Sequence, residues 1–205
     1  GGTKLSKGDL ALAKICAEWP DARVEMNKHM VEWGDAGYPF FKMDWLLRCV
    51  NTIITGEAKF IALKDVNSER FEKGLTKAKK YIDKTLNLIA ARLGLDNGWV
   101  LGSAYSIPLI VRYLEENKGS FGNHQERDQL LHWYIHTFLW GRYGGSTESM
   151  LNQDLAAIED KDSSLENLIE NIRRIRGDLT VHPSDFIGWS RGARFYPLLY
   201  MLTRE

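Results

Sequence analysis

The chain has 205 residues, of which 44% are hydrophobic, 11% aromatic and 26% charged, a balance that fits a folded domain with a real core and excludes disorder. Basic and acidic residues number 27 each, so no global charge draws the chain to nucleic acid or an anionic membrane, and any such contact has to come from local patches. Cys16 and Cys49 have neither CxxC nor zinc-ligand spacing, no signal peptide or membrane span stands out, and the expectation is reduced thiols in a cytoplasmic protein.

From the N-terminus, Ser6 is placed to cap a helix carrying Leu10, Leu12, Ala13, Ile15 and Cys16, which Pro20 stops. Asp21 is expected to cap a second helix with Val24, Met26, Met30, Val31 and Trp33 as its apolar set. A third spans about 44–55, with Trp45, Leu46, Cys49, Val50, Ile53 and Ile54 inward and Gly56 closing it. Residues 60–63 are the one strand-like patch, too short and isolated to make a sheet. Over 68–93 the period is clear: Phe71, Leu75, Ala78, Ile82, Leu86, Ile89 and Leu93 alternate steps of four and three, which predicts one long helix. Lys73, Lys77, Lys80 and Lys84 keep the same rhythm out of phase and form a basic stripe on the opposite face.

A helix follows over 103–117, with Pro108 tolerated near its start. Residues 130–140, Leu-Leu-His-Trp-Tyr-Ile-His-Thr-Phe-Leu-Trp, are apolar or aromatic in almost every direction of a helical wheel, the mark of a buried helix. We take 124–143 as the central helix. A glycine turn follows, and Ser146 or Thr147 is expected to cap a helix bearing Met150, Leu151, Leu155 and Ile158. Another helix spans 165–176, a turn into a short helical segment covers 182–186, and Ser190 is placed to cap a last helix through Phe195, Leu198, Leu199 and Leu202. The expected architecture is all-α, a single domain over 1–205 of about eight helices with almost no sheet.

Three stretches then carry a likeness. They are Gly1-Gly2-Thr3-Lys4-Leu5-Ser6 with Asp9-Leu10-Ala11; Gly141-Arg142-Tyr143-Gly144-Gly145-Ser146-Thr147-Glu148; and residues 194–204, Arg-Phe-Tyr-Pro-Leu-Leu-Tyr-Met-Leu-Thr-Arg. In this order they resemble the helical part of the GmrSD-like proteins, a prokaryotic domain-of-unknown-function family whose better-known members are restriction nucleases of modified phage DNA. The resemblance implies a phage-defence setting and a ParB/sulfiredoxin-like domain before this part, with an Asp-Gly-Gln-Gln-Arg motif associated with nucleotide binding. Some members add an HNH-type nuclease segment after it. Neither motif occurs in residues 1–205. The expectation is therefore a non-catalytic fragment of a longer protein, with no cofactor of its own and a nucleotide used by the parent. Its partners would be its own N- and C-terminal domains and DNA. The alternative is a purely structural or oligomerisation module, such as a homodimer, without nucleic-acid binding.

Four sets of residues are candidates for a site. His132 and His136 share a helix face at the spacing of a two-imidazole metal pair, but no HExxH pattern accompanies them, and the plainer reading is the polar edge of a buried helix. Arg142, Gly145, Ser146 and Thr147 combine a guanidinium with the exposed N–H groups of a helix start, as a phosphate site would. The other reading is a capped turn with Arg142 paired to an acid. The lysine stripe could follow a phosphate backbone or be an ordinary solvated face, since Glu69, Glu72 and Asp83 are interleaved with it. Arg173, Arg176, Arg191 and Arg194 form a last basic set, read either as helix-end cations or, through the family, as contacts to DNA or nucleotide. Asp185, Glu159, Glu166 and Glu170 make no catalytic pair, and neither GxSxG nor a Walker loop is present.

Overall fold

A computed structural model describes residues 7–160, 163–187 and 194–204. Within them the chain forms nine α-helices, three short 3-10 turns and no strand: α1 (Lys7–Glu18), α2 (Ala22–Asp35), α3 (Met43–Thr55), α4 (Ser68–Leu93), α5 (Ile107–Glu116), α6 (His124–Leu139), α7 (Thr147–Ile158), α8 (Ser164–Arg176) and α9 (Tyr196–Thr203). The all-α expectation is met. No helix among the described residues is long and apolar enough to cross a membrane.

The core is built on α3, α4 and α5, which pack against one another. Helix α3 buries eight of its thirteen residues, including Asn51 and Thr52. Buried polar groups need partners. Asn51 donates to the Glu57 and Lys59 carbonyls, and Thr52 Oγ1 donates to the carbonyl of Pro108 at 2.9 Å. Helix α4 runs over the predicted 68–93 and buries the predicted face apart from Leu93, which is only partly covered. The Asn67 side chain accepts from the Arg70 N–H at its start, and Gly94 in the left-handed region (φ 72°) ends it. Helices α1 and α2 pack on α3 and α4, α7 on α5, and α8 on both α7 and α6.

Several local expectations change. The strand-like residues fall in a 3-10 turn, Phe60–Asp65, whose three-residue period puts Phe60 and Leu63 together against α1 and α3. Asp21 makes no side-chain cap bond on α2, and Val24 and Val31 face solvent, because α2 buries only the stripe through Ala22, Met26 and Trp33. The helix expected over 103–117 begins with a 3-10 turn, Ala104–Ser106, before α5. Helix α6 starts on a capping box: Asn123 accepts from the Gln125 and Glu126 N–H groups, and Glu126 accepts from the Asn123 N–H. Its second half is buried except along an edge at His132 and Ile135; the first half is largely exposed and polar, and the middle of the core belongs to α3. Helix α9 is apolar yet buries only Pro197. The caps expected from Ser6 and Ser190 lie outside the described residues.

Candidate functional site

The turn after α6 closes on a buried polar cluster. The Asp154 carboxylate on α7 is fully buried and accepts four hydrogen bonds: from Arg142 Nε (3.1 Å) and Nη2 (2.8 Å), from the Tyr143 hydroxyl (2.7 Å) and from Asn171 Nδ2 on α8 (2.9 Å). Gln153 takes a further bond from Arg142 Nη2 at 2.7 Å. Burial, and then the neighbouring Asp154 charge, hold the Tyr143 hydroxyl well above its usual pKa. Such a fork-on-carboxylate pair repays its desolvation only when every remaining polar atom is bonded, as it is for Asp154. Of the two readings of Arg142, Gly145, Ser146 and Thr147, phosphate site or turn with Arg142 paired to an acid, the arrangement matches the second. Arg142 points into the core, where an acid holds it. Ser146 makes no cap bond, Thr147 Oγ1 donates back to the Tyr143 carbonyl, and Glu148 places a negative charge in the first turn of α7.

His132 and His136 do come together, with Nε2 atoms 3.0 Å apart. Trp140 Nε1 can only donate, and it bonds His136 Nδ1 at 2.9 Å. Neutral His136 then carries its proton on Nε2 and donates it to His132 Nε2, which leaves the His132 proton on Nδ1. Burial, followed by the His132 charge, pushes the His136 pKa down to about 4. Burial, followed by Arg173, lowers that of His132. No group of three or more His, Cys, Asp or Glu side chains is arranged to hold a metal among the described residues.

The basic residues are spread out and mostly engaged. Lys73 pairs with Glu69 at 2.6 Å, Lys77 pairs with Glu115 across the α4–α5 contact, and Lys84 reaches the Gly119 carbonyl and the Phe121 ring. All four lysines of the stripe are exposed, and Lys77 and Lys84 lie on its side towards α5 and the loop that follows it. Arg176 stacks over the Trp140 ring at 4.3 Å and pairs with Asp185 at 2.8 Å. Arg173 lies beside His132 in a shallow surface recess with Asp178 and Thr180. Arg191 is outside the described residues.

Arg194 is in a different place, a cleft of about 850 Å³ between residues 98–105, the end of α6 with its turn, and the start of α9. Trp99, Tyr105 and Tyr196 line it and are exposed by 74, 43 and 51%. Trp99 stands edge-on against Phe40 at 4.5 Å. Gly98, Gly102, Gly141 and Gly144 also line the cleft. Two of them are required by contact. Gly102 has φ +77° and a Cβ there would lie 2.4 Å from the Phe138 ring; Gly141 has φ +62° and lets the Arg194 guanidinium lie against its backbone, since a Cβ would be 2.5 Å from Nη1. The segment 98–106 is pinned from behind: Trp45 Nε1 donates to the Ala104 carbonyl at 2.8 Å, the Tyr134 hydroxyl donates to the Leu101 carbonyl, and Ser106 and Thr137 share a 2.6 Å hydroxyl bond. The cleft is thus preformed. Its lining contains no carboxylate, imidazole or thiol, and Arg194 is its one cation among the described residues.

Of the cleft residues, Arg194, Tyr196 and Pro197 lie in the last family-like stretch, Gly141, Tyr143 and Gly144 in the second, and Thr137 and Phe138 in the apolar run 130–140. Trp99 and Tyr105 belong to none of the candidate sets, because only the fold brings their stretch beside residues 194–197. Their available signal was a large aromatic between glycine turns, where the core offers it no place. No protein-family model matches the chain, and no curated protein matches it significantly.

Proposed function

We propose that this chain is a non-catalytic helical binding module of a GmrSD-like protein, standing between a nucleotide-binding domain and an effector, and that it contacts DNA by receiving an unpaired base in the 98–105/α9 cleft. The observation that supports this reading is the cleft itself: preformed, glycine-walled, with three exposed aromatic rings and one guanidinium. Its size is within the usual range for small-ligand sites, roughly 300–1,000 Å³. Aromatic faces accept any base by stacking, and an arginine adds a cation for the phosphate or the ring face. The absence of acid, imidazole and thiol from the described lining favours holding a ligand over transforming one.

The test is fluorescence anisotropy of labelled single-stranded and duplex oligonucleotides with the 205-residue chain at low and moderate salt. Single strands are expected to bind more tightly than duplex, with affinity falling as salt rises. Stacking is worth about 1–3 kcal/mol per base, so Trp99→Ala should weaken binding roughly tenfold. Retained affinity in both Trp99→Ala and Tyr196→Ala, or no binding of either oligonucleotide at low salt, would overturn the proposal. A second reading, self-association, is favoured by one observation: Leu199 and Leu202 of α9 are exposed by 47 and 71%. It predicts a sedimentation coefficient that rises with concentration and falls back in Leu202→Glu.

A further inference from the structure

On the side of the molecule where α1 meets the Phe60–Asp65 turn lies a groove of about 560 Å³ that the base-binding reading does not use. Its floor and lips are aliphatic: Leu10, Ala11, Ile61 and Leu63, with Leu10 and Ile61 exposed by 57 and 69%. Phe60 lies beneath, buried, with the Arg48 guanidinium over its ring at 4.5 Å. Gly8 makes this closeness possible, because a Cβ on it would lie 3.2 Å from the Phe60 ring and 2.7 Å from an Asp44 carboxylate oxygen. The rim is cationic. Lys7, Lys14, Lys59 and Lys64 line the groove and are exposed, while its one lining carboxylate, Glu148, is within 3.6 Å of Arg48. No acidic partner of the four lysines is present among the described residues, and Lys14 reaches only the Lys64 carbonyl.

Lysine stems extend an apolar surface while their ammonium heads stay in water, so a groove of this kind matches a ligand that is aliphatic in the middle and anionic at its borders. The floor offers no exposed ring for a base to stack on, which disfavours nucleic acid. The groove lies between two helical elements, α1 and the 60–65 turn, and an apolar groove of this kind takes the apolar stripe of a helix. We infer that the α1/60–65 groove is a docking site for an acidic amphipathic helix of a protein partner. Aliphatic side chains at three-and-four spacing would enter between Leu10 and Ile61, and flanking carboxylates would meet Lys7, Lys14, Lys59 and Lys64. The lysines of α4 differ, since most of them are paired with acids or carbonyls of the chain itself.

The experiment is titration of the full chain into a labelled 18-residue peptide probe, helical by design, with leucines on one face and glutamates flanking them. Two control peptides keep the composition with the leucines scrambled, or replace every glutamate by lysine. Phosphatidylglycerol vesicles form a separate arm. The expected result is saturable binding of the acidic amphipathic peptide alone, weakened about tenfold or more by Ile61→Asp and by Lys59→Glu with Lys64→Glu, as hot-spot side chains behave. Ile61 and the lysines are exposed, so these variants should keep the far-ultraviolet circular dichroism of the parent. Equal binding of the scrambled peptide, or unchanged affinity in the charge-reversed variant, would overturn the proposal. So would association with vesicles but not with the peptide. Trp99→Ala should leave the peptide affinity unchanged, which separates the failure of this site from the failure of the base-binding cleft.

Discussion

Asp154 shows how much a single side chain decides here. It gathers Arg142, Tyr143 and Asn171 from the turn, from beside it and from α8, all out of water. Asp154→Ala leaves a guanidinium buried without its counter-charge, a change that typically costs about 3–5 kcal/mol. Chemical denaturation should show a loss of that size, and Arg142→Met combined with Asp154→Leu should lose less than Asp154→Ala alone; equal or greater loss in the pair would argue against a buried-charge origin. The imidazoles give a second residue-scale prediction. His136 has its pKa pushed from 6.5 to about 4 in the folded chain, so the unfolded chain binds more protons between those values. Its contribution is fully present above pH 6.5 and is lost as pH falls towards 4. The denaturation midpoint should drop across that window, and His136→Gln should flatten the drop. An unchanged slope in the variant would mean that His136 does not titrate there. In the sequence these residues were visible as types and spacings only. The spacing of His132 and His136 marks them as neighbours on one helix, and an acid partner for Arg142 was one of the two readings of its turn, but no local pattern names Asp154 as that acid.

The elements were the most legible part of the chain. Helix α4 follows its sequence period from Ser68 to Leu93, because one long apolar stripe with an asparagine cap and a glycine stop leaves few alternatives. Residues 60–63 and the start of α5 were less legible, since β-branched and aromatic residues over so few positions suit a strand or a tight turn equally, and packing against α1 and α3 decided for the turn. The segment 98–106 has no periodicity at all, yet it forms one wall of the cleft. Its conformation depends on Gly102. Gly102→Ala should cost about 1–2 kcal/mol for the left-handed backbone and about 1–3 kcal/mol more for displacing the Phe138 ring. Gly145→Ala, with open space around it, should stay within about 0.5 kcal/mol of the parent. Thermal melts of the two variants check the contrast, and near-equal melting temperatures would show that Gly102 is not the constraint we assign it.

At the scale of the whole molecule, even charge balance conceals uneven use. Acids and carbonyls of the chain hold most of the α4 lysines, while four other lysines surround an aliphatic groove on α1 and the 60–65 turn, and Arg194 enters an aromatic cleft formed by three distant stretches. Composition and periodicity were enough to fix the all-α architecture of the described residues, the span of the long helix and the burial of most of the second half of α6. These follow from local preference and from the requirement that each apolar stripe be covered, which any segment carries in its own order of residues. Which stripe lies at the centre, which cations pair within the chain and where the cavities fall depended on how the helices cross. Those are distances between residues far apart in the chain, such as Trp99 to Tyr196 or Leu10 to Ile61, and no local pattern encodes them.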